Sequence, residues 1–117
     1  MEVIYELTPK QMHGLYHLFQ NEWWTRGRSL NDTIKCVEGS QVCIGLADKN
    51  DTLIGFTRIL TDYTFKALIF DLIVAKEFRS RGLAKKLISL IKTHDELVNV
   101  KLLRHTNNAI MKSNEDK

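Results

Sequence analysis

Apolar and polar positions alternate over residues 3–7, as in a short strand, and the spacing then changes. Met12, Leu15, Tyr16, Phe19 and Trp23 recur every three or four residues, the mark of a helix with one buried face. Thr8, Pro9 and Gln11 stand just before that stripe. They supply a capping hydroxyl, a proline for the first helical position and a glutamine placed to close a capping box. The pattern predicts a helix over residues 9–22, an interruption over 24–27, and a second helix over 30–38 that follows Ser29 and Asn31 and stops at Gly39. Three strands are predicted next, over 41–47, 52–61 and 65–74. Asp48, Lys49, Asn50 and Asp51 turn the first pair into a hairpin, and Asp62, Tyr63 and Thr64 lead into the third and most apolar strand. Leu83, Leu87, Ile88 and Ile91 place one apolar face on a helix over 80–93, and residues 98–103 read as a last strand. Beyond Arg104 the chain turns polar, and a frayed end is expected over 112–117. The predicted order is β-α-α-β-β-β-α-β, an α+β chain without internal repeats.

Composition narrows the classes. A chain of 117 residues, 44% hydrophobic and 26% charged, is expected to be one soluble domain with its own core. Its net charge of +3 is too small to argue for a nucleic-acid partner. No apolar run reaches the roughly 18 residues of a membrane span. The first residues lack a secretory pattern, so a cytoplasmic location is expected. Cys36 and Cys43 fall in different predicted elements and are expected to be reduced packing thiols. His13 and His17 share a helix face but have no third ligand nearby in sequence, so no metal is expected.

The chemistry gathers at one turn. Arg79-x-x-Gly82-x-Ala84, with Arg81 inside it, joins the apolar third of these strands to the helix that follows. A turn of this kind leaves backbone N–H groups free at a helix start, where the helix dipole also favours negative charge. Phosphate is the natural guest. Glycine at 82 lets an anion approach the backbone, and the small residue at 84 keeps bulk away from it. Neither of the common nucleotide fingerprints, G-x-x-x-x-G-K-[ST] or G-x-G-x-x-G, occurs.

In this setting the turn resembles the acyl-CoA-binding element of the GNAT superfamily of N-acetyltransferases, [Arg/Gln]-x-x-Gly-x-[Gly/Ala] directly after the fourth strand. Leu53-Ile54-Gly55-Phe56-Thr57-Arg58 is similar to that family's third strand, and Asp71-Leu72-Ile73-Val74 to the end of its fourth. Glu22-Trp23-Trp24-Thr25-Arg26-Gly27-Arg28 resembles its small-molecule branch. The resemblance covers about the first 103 residues and implies a three-layer α/β/α fold around a mixed, mostly antiparallel sheet. A single domain over 1–117 is expected, with a core over 1–103 and a divergent tail over 104–117.

The resemblance also implies roles. Acetyl-CoA would be the acyl donor. Backbone groups of Leu72, Ile73 and Val74 would pair with its pantetheine arm, and one N–H near the strand end would polarise the thioester carbonyl. The N–H groups of Ser80, Arg81, Gly82, Leu83, Ala84 and Lys85 would hold the pyrophosphate, with Arg79 and Arg81 adding charge. Lys85 and Lys86 read equally as contacts or as a solvated face. Asp71 interrupts an apolar strand and is the candidate to attract the acceptor amine or relay its proton. The alternative is a carboxylate bonded to neighbouring backbone or to Arg58. Trp23 is expected in the core, leaving Trp24 and Arg28 to shape an acceptor pocket, although Arg28 also reads as a surface residue.

The family pattern is not met after the fifth strand: beyond residue 103 there is no tyrosine and no Gly-Phe pair, so the last strands of the fold are missing from the pattern. The resemblance would then imply that the tyrosine serving as general acid in many members is not supplied by these residues, and that an uncovered sheet edge would invite pairing with a second copy. The function implied is transfer of acetyl from acetyl-CoA to a small primary amine in a ternary complex. The alternative is a catalytically impaired CoA-binding or structural domain derived from such an enzyme.

Overall fold

The computed structural model describes residues 1–104. Five strands form one sheet in sequence order: β1 (Glu2–Ile4), β2 (Val42–Ala47), β3 (Leu53–Thr61), β4 (Lys66–Val74) and β5 (Lys101–Arg104). The first three pairings are antiparallel, and β5 alone lies parallel to its neighbour. That parallel step needs a crossover, which α3 (Leu83–Thr93) provides. Two more helices, α1 (Pro9–Gln20) and α2 (Leu30–Glu38), lie between β1 and β2 in the chain.

Successive residues of a strand face opposite sides, and β3 shows the layering directly. Phe56 meets Phe19 of α1 edge to face, ring centroids 6.4 Å apart. Its neighbour Gly55 lies against Leu87 of α3, which a Cβ there would approach to 3.5 Å. Helices α1 and α3 therefore cover opposite faces of the sheet. Phe19, Ile44, Leu46, Phe56, Ile59, Leu87 and Ile91 are fully enclosed between these layers.

Local chemistry sets the element ends. Thr8 caps α1 as expected: its hydroxyl accepts the Gln11 N–H (3.1 Å), and its own N–H donates to the Gln11 side-chain oxygen (3.0 Å). Gln11 is buried and also donates to Asp51 (2.8 Å), tying the helix start to the β2–β3 turn. Four elements differ from the sequence pattern by two residues or more, the first being β1, which ends at Ile4 rather than 7. Helix α1 ends two residues early because Thr25 donates its hydroxyl to the Phe19 carbonyl (2.7 Å) and folds the chain back. The helical period is thereby lost before the tryptophans, so Trp23 is 65% exposed while Trp24 packs on the core. Helix α3 begins at Leu83 rather than 80, since Ser80 and Gly82 have φ of 65° and 80°, outside the right-handed region. Strand β5 starts three residues late, after turns that bury Leu97 and Val100.

Candidate functional site

Strand β5 pairs only with the first half of β4, from Lys66↔Lys101 to Ile69↔Arg104. Among the described residues, the second half of β4 has no partner on that side. Its departure is reinforced on the other side by a β-bulge: Phe56 pairs with Ile73 but Arg58 with Phe70, so Thr57 stands opposite two residues. Asp71 sits in that bulge with φ 54°, a conformation Asp tolerates better than most residues.

A cleft of about 640 Å³ opens where β4 leaves β5. Leu72, Ile73 and Val74 form its strand wall, and Arg79, Ser80, Gly82, Leu83, Ala84 and Lys85 its turn and helix wall. Nine of the ten residues expected to hold the coenzyme thus meet at one cavity. Arg81 is the exception: its guanidinium stacks over the Phe78 ring, 5.1 Å from the centroid, and does not line the cleft. Trp24 does line it, as do Glu22, Phe78 and Arg104, which sequence reasoning did not single out. Arg104 could have been found from the parallel pairing, which brings the end of β5 beside the middle of β4.

The turn has the form of an anion cradle. Backbone donors from Ser80 to Lys85 have no partner among the described residues, and the first one satisfied in α3 is Lys86, by the Gly82 carbonyl (3.0 Å). A Cβ built on Gly82 would meet no atom within 4 Å, so the space in front of this glycine is open. Arg79 spans the mouth: it donates Nε–H to the Val74 carbonyl (3.2 Å) and forms an ion pair with Glu22 from the α1–α2 connection.

Among the described residues, the opposite face of the bulge carries the most buried charge. Asp71, 7% exposed, accepts from both Nη atoms of Arg28 (2.7 and 3.2 Å) and from Nε of Arg58 (2.7 Å). Burial alone would raise its pKa, but hydrogen bonds and charge from Arg28 and Arg58 outweigh that and hold it below the ordinary aspartate value. These contacts match the alternative reading, a carboxylate bonded to Arg58, and add Arg28 to it. A carboxylate with a lowered pKa is a weak base, and one already neutralised by two guanidinium groups attracts an ammonium poorly. Arg28 is held in this cluster, with its guanidinium 4.5 Å over the Phe19 ring, rather than on the cleft wall beside Trp24.

The two thiols lie nearby and are unpaired. Burial pushes Cys43 up to about 11, with Cys36 adding to the shift and Arg58 opposing it. At pH 7.5 the native thiol is expected to react with iodoacetamide about 100-fold more slowly than in the unfolded chain, because only thiolate reacts. Mass spectrometry with and without urea measures the ratio.

Comparison with known proteins gives this geometry its family. The sequence model of the acetyltransferase (GNAT) family matches residues 5–110. The chain belongs to the GNAT acetyltransferase family. It is 32% identical over 83 residues to the N-acetyltransferase ycf52 of Gracilaria tenuistipitata var. liui, covering 68% of this chain. The chain spans less than half, 45%, of that relative's length. A crystal structure of a GNAT acetyltransferase from Xanthomonas campestris pv. campestris is 25% identical and superposes with TM-score 0.73, covering 93% of this chain and 78% of that one. An aminoglycoside 6'-N-acetyltransferase solved with coenzyme A shares the fold at 15% identity, TM-score 0.73, over 86% of this chain and 58% of that one. The three-layer GNAT architecture expected from the sequence is the one observed. Among the described residues, no helix is long and apolar enough to cross a membrane.

Proposed function

We propose that this chain transfers an acetyl group from acetyl-CoA to the primary amine of a small molecule, by direct attack within a ternary complex in the cytoplasm. One observation carries the reading: a run of unpartnered amides at the start of α3 faces a cleft that stays open in front of Gly82.

Acetyl-CoA would supply an acetyl thioester whose leaving group, a thiolate, departs readily without a strong acid (free thiol pKa about 8.5). The protein's part is to hold and orient. Amides from Ser80 to Lys85, with Arg79, would bind the diphosphate, and the unpaired edge of Leu72, Ile73 and Val74 would receive the pantetheine arm as a strand is received. Leu83, Phe78 and Trp24 give the cleft apolar walls, which would limit access of water to a bound thioester. Asp71 would be a positioning residue, fixing the bulge and the arginines rather than handling a proton.

Two measurements test the reading. Acetyl-CoA at 100 times its Kd is expected to stabilise the native state by about 2.7 kcal/mol. For a chain of this size that raises Tm by roughly 10–20 °C. Absence of any shift at saturating coenzyme overturns coenzyme binding altogether. Thiol release from acetyl-CoA over a panel of primary amines then tests transfer. Silence there, with the thermal shift intact, leaves the coenzyme-binding domain as the better description.

Diphosphate and Glu22 would compete for Arg79. Glu22→Gln is therefore expected to tighten coenzyme binding, by calorimetry, but by no more than about fivefold, the range of an exposed ion pair. Arg79 is 46% exposed in its side chain, which sets that ceiling.

A further inference from the structure

The cluster on the far side of the bulge holds more positive charge than its aspartate can balance. Arg28 and Arg58 share one carboxylate, so the group carries a net +1. Guanidinium donors also outnumber acceptors. Arg28 spends one N–H from each Nη on Asp71, and Arg58 spends Nε on Asp71 and Nη1 on a long bond to Ser40 (3.4 Å). Both side chains keep some contact with solvent, 28% and 15% exposed.

Position gives this surplus a meaning, and here the inference rests on the acetyltransferase reading. The coenzyme would fill the cleft bounded by Leu72, Ile73, Val74 and α3, so the acceptor must reach the thioester from outside that cleft. Asp71 precedes Leu72 in the bulge, and the α1–α2 connection carries both Trp24, on the cleft, and Arg28, on the cluster. A second substrate resting beside the bulge would therefore meet two fixed guanidinium groups. Asp71 holds Arg28 in a bidentate fork, and the Phe19 ring supports its plane, which is the preorganisation that carboxylate recognition needs. Among the described residues, Glu22 is the only acid on the cleft wall, and it is itself paired with Arg79.

We propose that the acceptor amine carries an anionic group, a carboxylate in the simplest case, that Arg28 and Arg58 recognise while the amine points at the thioester. Polycationic amines are disfavoured by the same charge.

The test uses three primary amines of equal length: an ω-amino acid, its carboxamide and the corresponding diamine. Their affinity for the CoA-bound protein is measured by calorimetry, and kcat/KM by thiol release. The amino acid is expected to bind at least tenfold tighter than the amide, with the diamine weakest. Arg28→Gln is expected to erase that preference by weakening the amino acid alone, and Arg28→Lys to keep part of it, having charge without the fork. Equal affinity for all three in the parent protein overturns the proposal, as does an Arg28→Gln variant that weakens all three by one factor, the result of a merely structural role. Failure of CoA itself to stabilise the chain overturns the acetyltransferase reading instead, a different outcome in the same titration.

Discussion

Gly82→Val is expected to weaken acetyl-CoA binding by about 100-fold while the protein still folds. The loss follows from where a side chain at 82 must go. The φ of 80° and the empty space within 4 Å of the built Cβ mean that new atoms meet no protein; they enter the volume in front of the free amides. Each charge-assisted bond from an amide to phosphate is worth about 1.5–3 kcal/mol, so displacing the diphosphate from one or two of them gives a loss of this order. Folding pays less: an L-residue in the left-handed region costs about 1–2 kcal/mol, or several degrees of Tm. Gly82→Asn separates the two effects. Asparagine tolerates this φ, so its Tm should stay near the parent's, yet its side chain occupies the same space. Isothermal titration with acetyl-CoA on both variants decides the matter. An asparagine variant that binds at full strength would show that the glycine serves backbone conformation and nothing else.

That turn was legible in the sequence because its chemistry is local. Strand, basic turn and helix follow one another without a break, so Arg79, Gly82 and Ala84 could be placed before any fold was known. The cap at Thr8 and Gln11 was legible for the same reason: all its partners lie within four residues. What the sequence hid is contact across the chain. Arg28 and Asp71 are 43 positions apart, and Glu22 and Arg79 are 57 apart. Periodicity reports which face is buried; it carries no information about which charged residue arrives opposite which. The one available signal was Asp71 itself, an acid in an apolar strand, which demands a partner without naming it.

The tryptophans show a second limit. Trp23 continues the α1 stripe on paper, and periodic reasoning assigns it to the core. One hydrogen bond from the Thr25 hydroxyl to the end of α1 ends the period two residues sooner, and the burial passes to Trp24. Capping by a side chain beyond the helix is a tertiary event at short range, decided by geometry that composition does not specify. The bulge in β4 is hidden in the same way, since a one-residue slip of register leaves the apolar pattern of the strand unchanged to the eye.

Replacing Asp71 by asparagine is expected to cost about 3 kcal/mol of stability at pH 7. Asparagine keeps the size and tolerates the φ of 54°, so the change removes charge and little else. It leaves Arg28 and Arg58 facing each other with no counter-charge, and breaking a buried pair in this way costs about 3–5 kcal/mol. The lower figure applies because Arg28 keeps 28% of its side chain in water. The pH dependence has a definite sign. The folded-state pKa of Asp71 lies below its unfolded value, so its contribution is complete above the unfolded pKa of about 3.9 and is lost as pH falls from there through the folded pKa. Asp48 and Asp62 are also lowered, by backbone N–H bonds from Thr52 and Thr64 respectively, and share the same acid limb. The difference between parent and Asp71→Asn isolates one carboxylate from the others: in urea melts it should be largest at neutral pH and shrink below about pH 4. A gap that stays constant from neutral to acid pH would mean that Asp71 is not ionised against its arginines, and the rigid guanidinium fork proposed to meet the acceptor would lose its support.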